Sequence, residues 1–164
     1  MAKLVSNELP DDALEALKSE NPPAKKGSVV QMITVNPNGW PDAGMLSYAD
    51  VIARDRKTMR LATWGDGECA TNMRSNGKIA LLLIDYDMAY YVKGTASEIR
   101  PRVTDLTDVN QEGGESPLAF FEIEVQEVYE DRVPTARVLS GVKFEGSEVE
   151  EQAHEQILRQ LLET

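Results

Sequence analysis

The chain is poor in the two residues that most often hold metals or form crosslinks: its 164 residues include one cysteine and one histidine. A lone cysteine, Cys69, cannot form an intrachain disulfide, so a disulfide scaffold is excluded and a reducing compartment is expected. The lone histidine, His154, lies among glutamates and has no second histidine or cysteine nearby. We therefore expect an exposed, solvated imidazole there and no metal site.

Long apolar runs are also missing. No segment approaches the roughly 18 to 20 consecutive apolar residues that a membrane span requires. The opening residues, MAKLVSNELPDD, contain no apolar core of signal-peptide length. These two absences lead us to expect a cytoplasmic protein with no membrane partner.

Positive charge is scarce relative to negative charge. There are 17 lysines and arginines against 28 aspartates and glutamates, which gives a formal net charge of −11. Nucleic-acid affinity rests largely on neutralising phosphates with lysine and arginine, so we expect no nucleic-acid partner. The same acidity means that an anionic ligand would need a locally positive site to bind.

The length suits one domain and is too short for two. We predict a single domain over residues 1–164. Residues 1–27 would form a short N-terminal helix and a lead-in, residues 28–144 a barrel, and residues 145–164 a C-terminal helix.

Hydrophobic patterning predicts a mostly β protein with a helix at each end. Alternation or continuous apolar runs, bounded by turn residues, indicate strands. Six strands are predicted, over Ser28–Val35, Ala43–Tyr48, Thr58–Trp64, Ile79–Asp85, Met88–Ile99 and Leu118–Tyr129. Val142–Phe144 is a candidate for one more short strand. Pro101 is expected to end the fifth strand, and a short helical turn is expected at Asn72–Arg74. The helices are predicted over Pro10–Lys18 and Ser147–Leu162.

The central third of the chain carries a recognisable order of motifs. Leu61-Ala62-Thr63 ends one strand, Asn72-Met73-Arg74 follows a glycine-rich turn, and the buried strand Ile79–Asp85 precedes Ala89–Gly94. This order resembles the flavin-binding split barrel of the pyridoxamine 5′-phosphate oxidase superfamily. The resemblance implies a six-stranded antiparallel split barrel of Greek-key type. It also implies FMN bound at a homodimer interface.

The resemblance further implies where the cofactor would lie. In such barrels the FMN phosphate lies against the turn before Asn-Leu-Arg, where backbone N–H groups and cationic side chains meet it. Six residues would form the cofactor site: Ser47, Thr63, Trp64, Thr71, Asn72 and Arg74. Several have plainer structural interpretations. Thr63 can be a simple β-former, Asn72 a local cap, and Arg74 one half of a surface salt bridge.

One departure from the family pattern concerns the phosphate. The positions where the family places its cations hold Glu68 and Cys69 here. A carboxylate about 4 Å from a phosphate costs on the order of 4 kcal/mol per charge pair at an effective dielectric near 20. Arg74, Arg60 or an arginine from a partner chain would have to compensate. Cys69 itself is expected to be an inert packing residue.

Two functions from different classes follow. The first is an FMN-binding flavoprotein, in which the flavin would carry the redox step if the chain is an enzyme. The C-terminal residues, QILRQLLET, lack the arginine-rich segment expected of a true pyridoxamine 5′-phosphate oxidase. The second is a cofactor-free split-barrel dimer that binds a small-molecule ligand or a partner. A haem-handling barrel with His154 as axial ligand is a third alternative.

Overall fold

The computed structural model describes residues 1–18, 27–103, 117–146 and 148–164. Within those ranges the chain forms eight strands and three α-helices. The strands are β1 (Lys3–Ser6), β2 (Val29–Val35), β3 (Pro41–Ser47), β4 (Val51–Ala53), β5 (Thr58–Trp64), β6 (Lys78–Asp85), β7 (Met88–Val103) and β8 (Leu118–Glu130). The helices are α1 (Asp11–Ala16), α2 (Glu68–Asn76) and α3 (Glu148–Glu163), and a single 3-10 turn covers Tyr48–Asp50.

All strands belong to one antiparallel sheet with the order β3-β2-β6-β7-β8-β5-β4, and β1 pairs with β8. The long connection from β5 through α2 leads into the meander β6-β7-β8, whose last strand returns to pair with β5. This arrangement is a Greek key followed in the reverse chain direction. The predicted mostly β, split-barrel fold with flanking helices is confirmed.

The curled sheet encloses a main core on its inner side. Alternate residues of each strand point into it, as the two-residue period of a strand requires. Leu9, Ala13 and Leu17, in and around α1, close one side of this core, and Ala70 and Met73 of α2 pack into it elsewhere. Each fully buried apolar side chain contributes roughly 1.5–3 kcal/mol. The largest ones here are Phe121, Leu9, Leu17, Met32, Met59, Leu61, Leu81, Leu83 and Ile123.

A second, smaller core lies on the outer side of the sheet. Helix α3 covers the outward residues of β4, β5 and β8 there. Ile157 and Leu161 of α3 pack with Ile52, Ala62 and Phe120. Only part of the outer sheet surface is covered in this way, because α3 does not extend over β2, β3 and β6.

Several local predictions need correction. The described residues form eight strands and not six, because β1 and the three-residue β4 were missed. Neither short strand has a local pattern of its own: β1 exists through pairing with the end of β8, and β4 through pairing with β5. The predicted helical turn at Asn72–Arg74 is part of the nine-residue helix α2.

Two further predictions about the strands were wrong. Pro101 does not end β7, which continues to Val103. The ladder between β7 and β8 shifts register between Arg100 and Val103, so the proline falls in an irregularity where its missing N–H breaks no regular pairing. Val142–Phe144 forms no strand, only an isolated bridge between Lys143 and Ser28.

The helix predictions hold with shifted ends. α1 covers Asp11–Ala16 within the predicted Pro10–Lys18, and α3 covers Glu148–Glu163. The predicted first residue of the last helix, Ser147, lies outside the described residues, as do residues 19–26 of the predicted lead-in.

Candidate functional site: the turn between β5 and α2

Hydrogen bonds fix both glycines of the turn that joins β5 to α2, Gly65–Gly67. The Gly65 N–H donates to the Pro117 carbonyl at 2.8 Å, and the Gly65 carbonyl accepts from Arg74 Nη1 at 2.6 Å. The Gly67 N–H donates to the Trp64 carbonyl at 3.1 Å. A Cβ atom at Gly65 would lie 2.8 Å from the Pro117 carbonyl oxygen, so only glycine fits there without a shift. The turn is therefore a fixed platform at the start of α2.

The first turn of α2 offers backbone N–H groups without a side-chain cap. Gly67 is the N-cap residue and makes no side-chain capping bond. The Gly67 carbonyl accepts from both the N–H and the hydroxyl of Thr71, each at 3.1 Å. The preceding amides of α2 have no partner inside the helix, and the helix dipole places partial positive charge at this end. Such an end is suited to an anionic group.

The side chains around this helix end oppose an anion. Asp66 and Glu68 flank Gly67, and both are exposed carboxylates. At about 4 Å and an effective dielectric near 20, each would repel a phosphate charge by on the order of 4 kcal/mol, less where solvent screens it. The amides and the carboxylates thus act in opposite directions on the same anion.

Arg74 is the predicted cation of the site, and its guanidinium is already engaged. Its Nε donates to Glu98 Oε1 at 2.8 Å, Nη2 pairs with the same oxygen, and Nη1 donates to the Gly65 carbonyl. The hydrogen bond that Arg74 donates to the Glu98 carboxylate raises the pKa of Arg74 above its ordinary value. The guanidinium also lies over the Phe121 ring, 5.8 Å from the ring centroid. The plainer interpretation of Arg74 as a salt-bridge partner describes the contacts that the structure shows.

Asn72 is buried at 3% exposure, and its amide joins α2 to the sheet. Nδ2 donates to Thr34 Oγ1 of β2 at 3.0 Å and to Asp42 Oδ2 of β3 at 2.8 Å. The side chain is neither a local cap nor directed at the β5–α2 turn. Its observed role is to hold the helix against two strands.

Cys69 packs, half-buried, against the main core. Its Sγ lies 4.0 Å from the Asp42 carbonyl oxygen, and a Cβ built on Gly44 would be 3.5 Å from that sulfur. These contacts are those of a packing cysteine, as the sequence indicated.

Thr63 and Trp64 end β5 and point to opposite faces of the sheet, as neighbouring strand residues must. Thr63 is buried on the inner side and pairs in register with Ala119. Trp64 is on the outer side, pairs with Leu118 and is 48% exposed. Of the two, Trp64 is the side chain available to a ligand at the turn.

Ser47 lies far from the other predicted residues. It ends β3, and its hydroxyl caps the 3-10 turn by accepting from the Ala49 N–H at 3.1 Å. The run of β3 from Asp42, which contacts Asn72, to Ser47 spans about 17 Å at the usual rise per strand residue. The structure therefore brings Trp64, Thr71 and Arg74 to one turn and leaves Ser47 at the other end of β3.

Sequence reasoning missed Glu98, the partner of Arg74. A signal for it was present in the alternation of β7. Gly94 and Ala96 are buried, and Glu98 pairs in register with Phe121 of the main core. A carboxylate at an inward position of a strand indicates a nearby cation, because burying an unpaired charge is costly.

A second feature of the molecule is an apolar area on the outer side of the sheet that no helix among the described residues covers, which we call the bare face. A row of side chains crosses four strands there, from Met45 through Gln31 and Leu82 to Tyr91, in register. The outward residues that form the bare face are uncharged, and two lysines on the same side of the sheet, Lys78 of β6 and Lys93 of β7, border it. The residues of the bare face are Gln31, Ile33, Val35, Ala43, Met45, Ala80, Leu82, Ile84, Ala89 and Tyr91.

The described part of the chain contains no group of three or more potential metal ligands. His154 packs edge-on against the Phe144 ring, with the centroids 6.1 Å apart. No helix among the described residues is both long and apolar enough to cross a membrane.

Comparison with known proteins gives the family. Residues 22–131 match the model of the family described as pyridoxamine 5′-phosphate oxidase. The chain belongs to this family. The match includes β2 to β8 and therefore the β5–α2 turn.

Known relatives are consistent with that membership. YclD of Bacillus subtilis strain 168, an uncharacterised protein, is 30% identical over 112 residues, which cover 68% of this chain and 67% of YclD. The crystal structure of HupZ from Group A Streptococcus has a TM-score of 0.54 at 20% identity and covers 81% of this chain and 99% of that one. An FMN-binding protein from Syntrophomonas wolfei subsp. wolfei has a TM-score of 0.52 at 16% identity, covering 73% and 86%. The two structural likenesses show that the fold is shared.

Proposed function

We propose that the chain binds FMN between the two subunits of a homodimer. Family membership supports a flavin-related role, and one of its structural neighbours is named as an FMN-binding protein. The observation that carries the proposal is the fixed β5–α2 turn, which presents uncapped amides of α2 close to the half-exposed Trp64. These two features suit the two ends of a flavin nucleotide, since amides hold a phosphate and an indole packs on a flat ring.

Backbone groups, more than side chains, would hold FMN at this site. The amides at the start of α2 would hold the phosphate, with the exposed Thr71 on the first turn of the helix beside them. The carboxylates of Asp66 and Glu68 would weaken the binding. When bound, the flavin would supply hydride or electron transfer, and the protein would supply position and exclusion of water.

The homodimer is supported by the bare face. A mainly apolar area, bordered by Lys78 and Lys93, favours contact with another apolar surface, and a two-fold copy of the same face provides one. Gln31 within the area can form hydrogen bonds across such an interface, whereas the Tyr91 hydroxyl already donates to Asp131 Oδ2 at 2.8 Å. Pairing would bury side chains that the monomer leaves partly in water.

We do not expect the reaction for which the family is named. The arginine at the candidate site, Arg74, is engaged by Glu98 and the Gly65 carbonyl, and α3 packs on the sheet's outer side through Ile157 and Leu161. A phosphorylated pyridoxamine substrate would need additional cations. Purified protein supplied with FMN should not convert pyridoxamine 5′-phosphate to pyridoxal 5′-phosphate in an absorbance assay.

A cofactor-free dimer that binds a ligand or a partner is the second candidate. It is favoured by the engagement of Arg74 with Glu98 and by the two carboxylates beside the α2 terminus. Under this alternative the β5–α2 turn is retained for its structural contacts, and no flavin binds at physiological concentrations.

A fluorescence titration with FMN separates the two candidates. Flavin fluorescence should be quenched on binding to the wild-type protein, and Glu68→Lys should tighten binding about tenfold by replacing repulsion with attraction. The matched control is Glu124→Lys, which makes the same charge change. Glu124 is exposed and pairs with Thr58 at the far end of β5, about 20 Å from Trp64.

The possible results lead to different conclusions. Binding by the wild type that tightens in Glu68→Lys and not in Glu124→Lys supports the proposal. Binding that appears only in Glu68→Lys supports the cofactor-free alternative. The absence of binding in all three proteins would contradict an FMN site at the β5–α2 turn.

A further inference from the structure

We infer that Arg74 positions the flavin site through the β5–α2 turn and does not contact the phosphate of the ligand. The inference rests on the proposed function, and it assigns Arg74 and Glu98 a joint role. The family resemblance offers Arg74 as the remaining phosphate cation. In the structure the guanidinium instead donates to Glu98 and to the Gly65 carbonyl.

Every nitrogen of the Arg74 guanidinium has a partner within the protein. Nε and Nη2 both face Glu98, and Nη1 donates to the Gly65 carbonyl at 2.6 Å. Glu98 is 23% exposed and Arg74 35% exposed, so the pair is partly shielded from water. The Phe121 ring packs against the guanidinium from the main core. A side chain held from three directions would have to break a charge-assisted bond to reach a ligand.

The position of Arg74 along α2 leads to the same conclusion. Arg74 is in the last turn of the helix, and the uncapped amides are at the opposite end. The rise from Glu68 to Arg74 is about 9 Å. A phosphate held by the first amides of α2 would therefore be distant from the backbone of Arg74, whose side chain donates to the Gly65 carbonyl and interacts electrostatically with Asp66 in the turn.

Gly65 is the link between Arg74 and the site. Its N–H is bound to Pro117 and its carbonyl to Arg74, and the residue is buried. Trp64 lies directly before it, and the N-cap Gly67 follows two residues later. Removing the guanidinium would leave a buried carbonyl without its donor, and relief of that cost would shift the turn. The Trp64 ring and the α2 amides would move together.

Affinities for two flavins distinguish positioning from phosphate contact. Riboflavin has the ring system of FMN and no phosphate. If Arg74 acts through the turn, Arg74→Gln should lower the affinity for riboflavin as well as for FMN, by about tenfold for a lost bond of about 1.4 kcal/mol. Glu98→Gln should also lower the affinity for both flavins. Arg74→Lys should restore part of the loss, because an ammonium can still donate to Gly65.

The matched control is Arg100→Gln. Arg100 also lies over a phenylalanine ring, that of Phe120 at 5.5 Å, and donates to Gln160 of α3. It has no contact with the β5–α2 turn among those found for the described residues, so its loss should leave both affinities within about twofold. A loss of FMN affinity in Arg74→Gln with riboflavin affinity unchanged would overturn the inference and make Arg74 a phosphate contact.

If the wild-type protein binds no flavin, the proposed function is wrong, but the inference about Arg74 and the turn can still be tested by tryptophan fluorescence. In a Trp40→Phe background, Trp64 is the sole tryptophan. Arg74→Gln and Glu98→Gln should each change its emission maximum and its quenching by iodide, and the double variant should add nothing further. Unchanged emission in both single variants would show that the pair does not control the turn.

Discussion

The Asn72 side chain donates a hydrogen bond to the Thr34 hydroxyl across 3.0 Å, between two buried residues that are 38 positions apart in the chain. A second bond from the same nitrogen reaches Asp42. Through these two bonds the helix that begins at the β5–α2 turn is attached to β2 and β3. These two bonds therefore help to fix the position of the helix that carries the candidate flavin site.

Replacing Asn72 should destabilise the whole protein. Asn72→Ala leaves Thr34 and Asp42 without their donor in a buried setting, which costs about 1–3 kcal/mol of unfolding free energy. The measurement is urea unfolding followed by circular dichroism. The control is Thr71→Ala, since that exposed neighbour loses only a hydroxyl bond to Gly67 and should change stability by less than about 1 kcal/mol. Equal stability of Asn72→Ala and the wild type would contradict this role.

The bare face predicts a specific change in oligomeric state. The wild type should have twice the chain's mass of 18.2 kDa in light scattering. Met45→Glu places a charge within the proposed interface, on its most exposed apolar side chain, and should give a folded monomer, because Met45 is 70% exposed within one chain. Leu162→Glu, an equivalent change at the 43% exposed end of α3, should remain a dimer. A wild-type monomer, or a dimer that Met45→Glu leaves intact, would rule out this interface.

The segment after β8 should be sensitive to a single methyl group. A Cβ at Gly141 would lie 1.9 Å from the Ile84 carbonyl oxygen, so Gly141→Ala forces the segment away from β6 at a cost of about 1–3 kcal/mol. The amide of Asp87, which donates to Val138, and that of Val29, which donates to Val142, should then exchange with deuterium faster.

The control for this change is Thr135→Ala, at an exposed residue of the same segment. Its exchange rates at those two amides should equal those of the wild type. If the two amides exchange as slowly in Gly141→Ala as in the wild type, the segment is not held at Ile84.

Tyr90 should make stability fall at alkaline pH. Burial, and then the hydrogen bond to Asp12 on α1, raise the pKa of Tyr90 from 10.0 to about 12. The folded protein therefore holds this proton more tightly than the unfolded chain. Its contribution is complete below pH 10 and is lost as the pH rises toward 12, on the order of 2 kcal/mol in all. Unfolding free energies measured across this window should fall less in Tyr90→Phe, and an equal fall would contradict the assignment.

Local patterns predicted the parts of the fold whose causes are local. β5 was predicted with its observed ends, Thr58 and Trp64, because a β-rich run lies between polar turns. β8 was predicted from the alternation of Phe121 and Ile123 with glutamates. β1 and β4 could not be predicted, since each is a strand only through a partner distant in sequence.

In the candidate site, too, the local features could be predicted from the sequence and the long-range contacts could not. The glycine-rich turn and the following Asn-Met-Arg were recognisable, and the structure brings Trp64, Thr71 and Arg74 to that turn. The partner of Arg74 is 24 residues away and that of Asn72 is 38 residues away. Side-chain pairs at such separations depend on strand register, which single-sequence patterns do not specify.

Native mass spectrometry of the protein after incubation with excess FMN tests the central claim most directly. We predict a dimer of twice 18.2 kDa that carries two FMN molecules, with Met45→Glu giving a monomer that has lost them. A wild-type dimer without FMN, or a flavin-bound monomer, would contradict the proposal that the cofactor lies between two subunits.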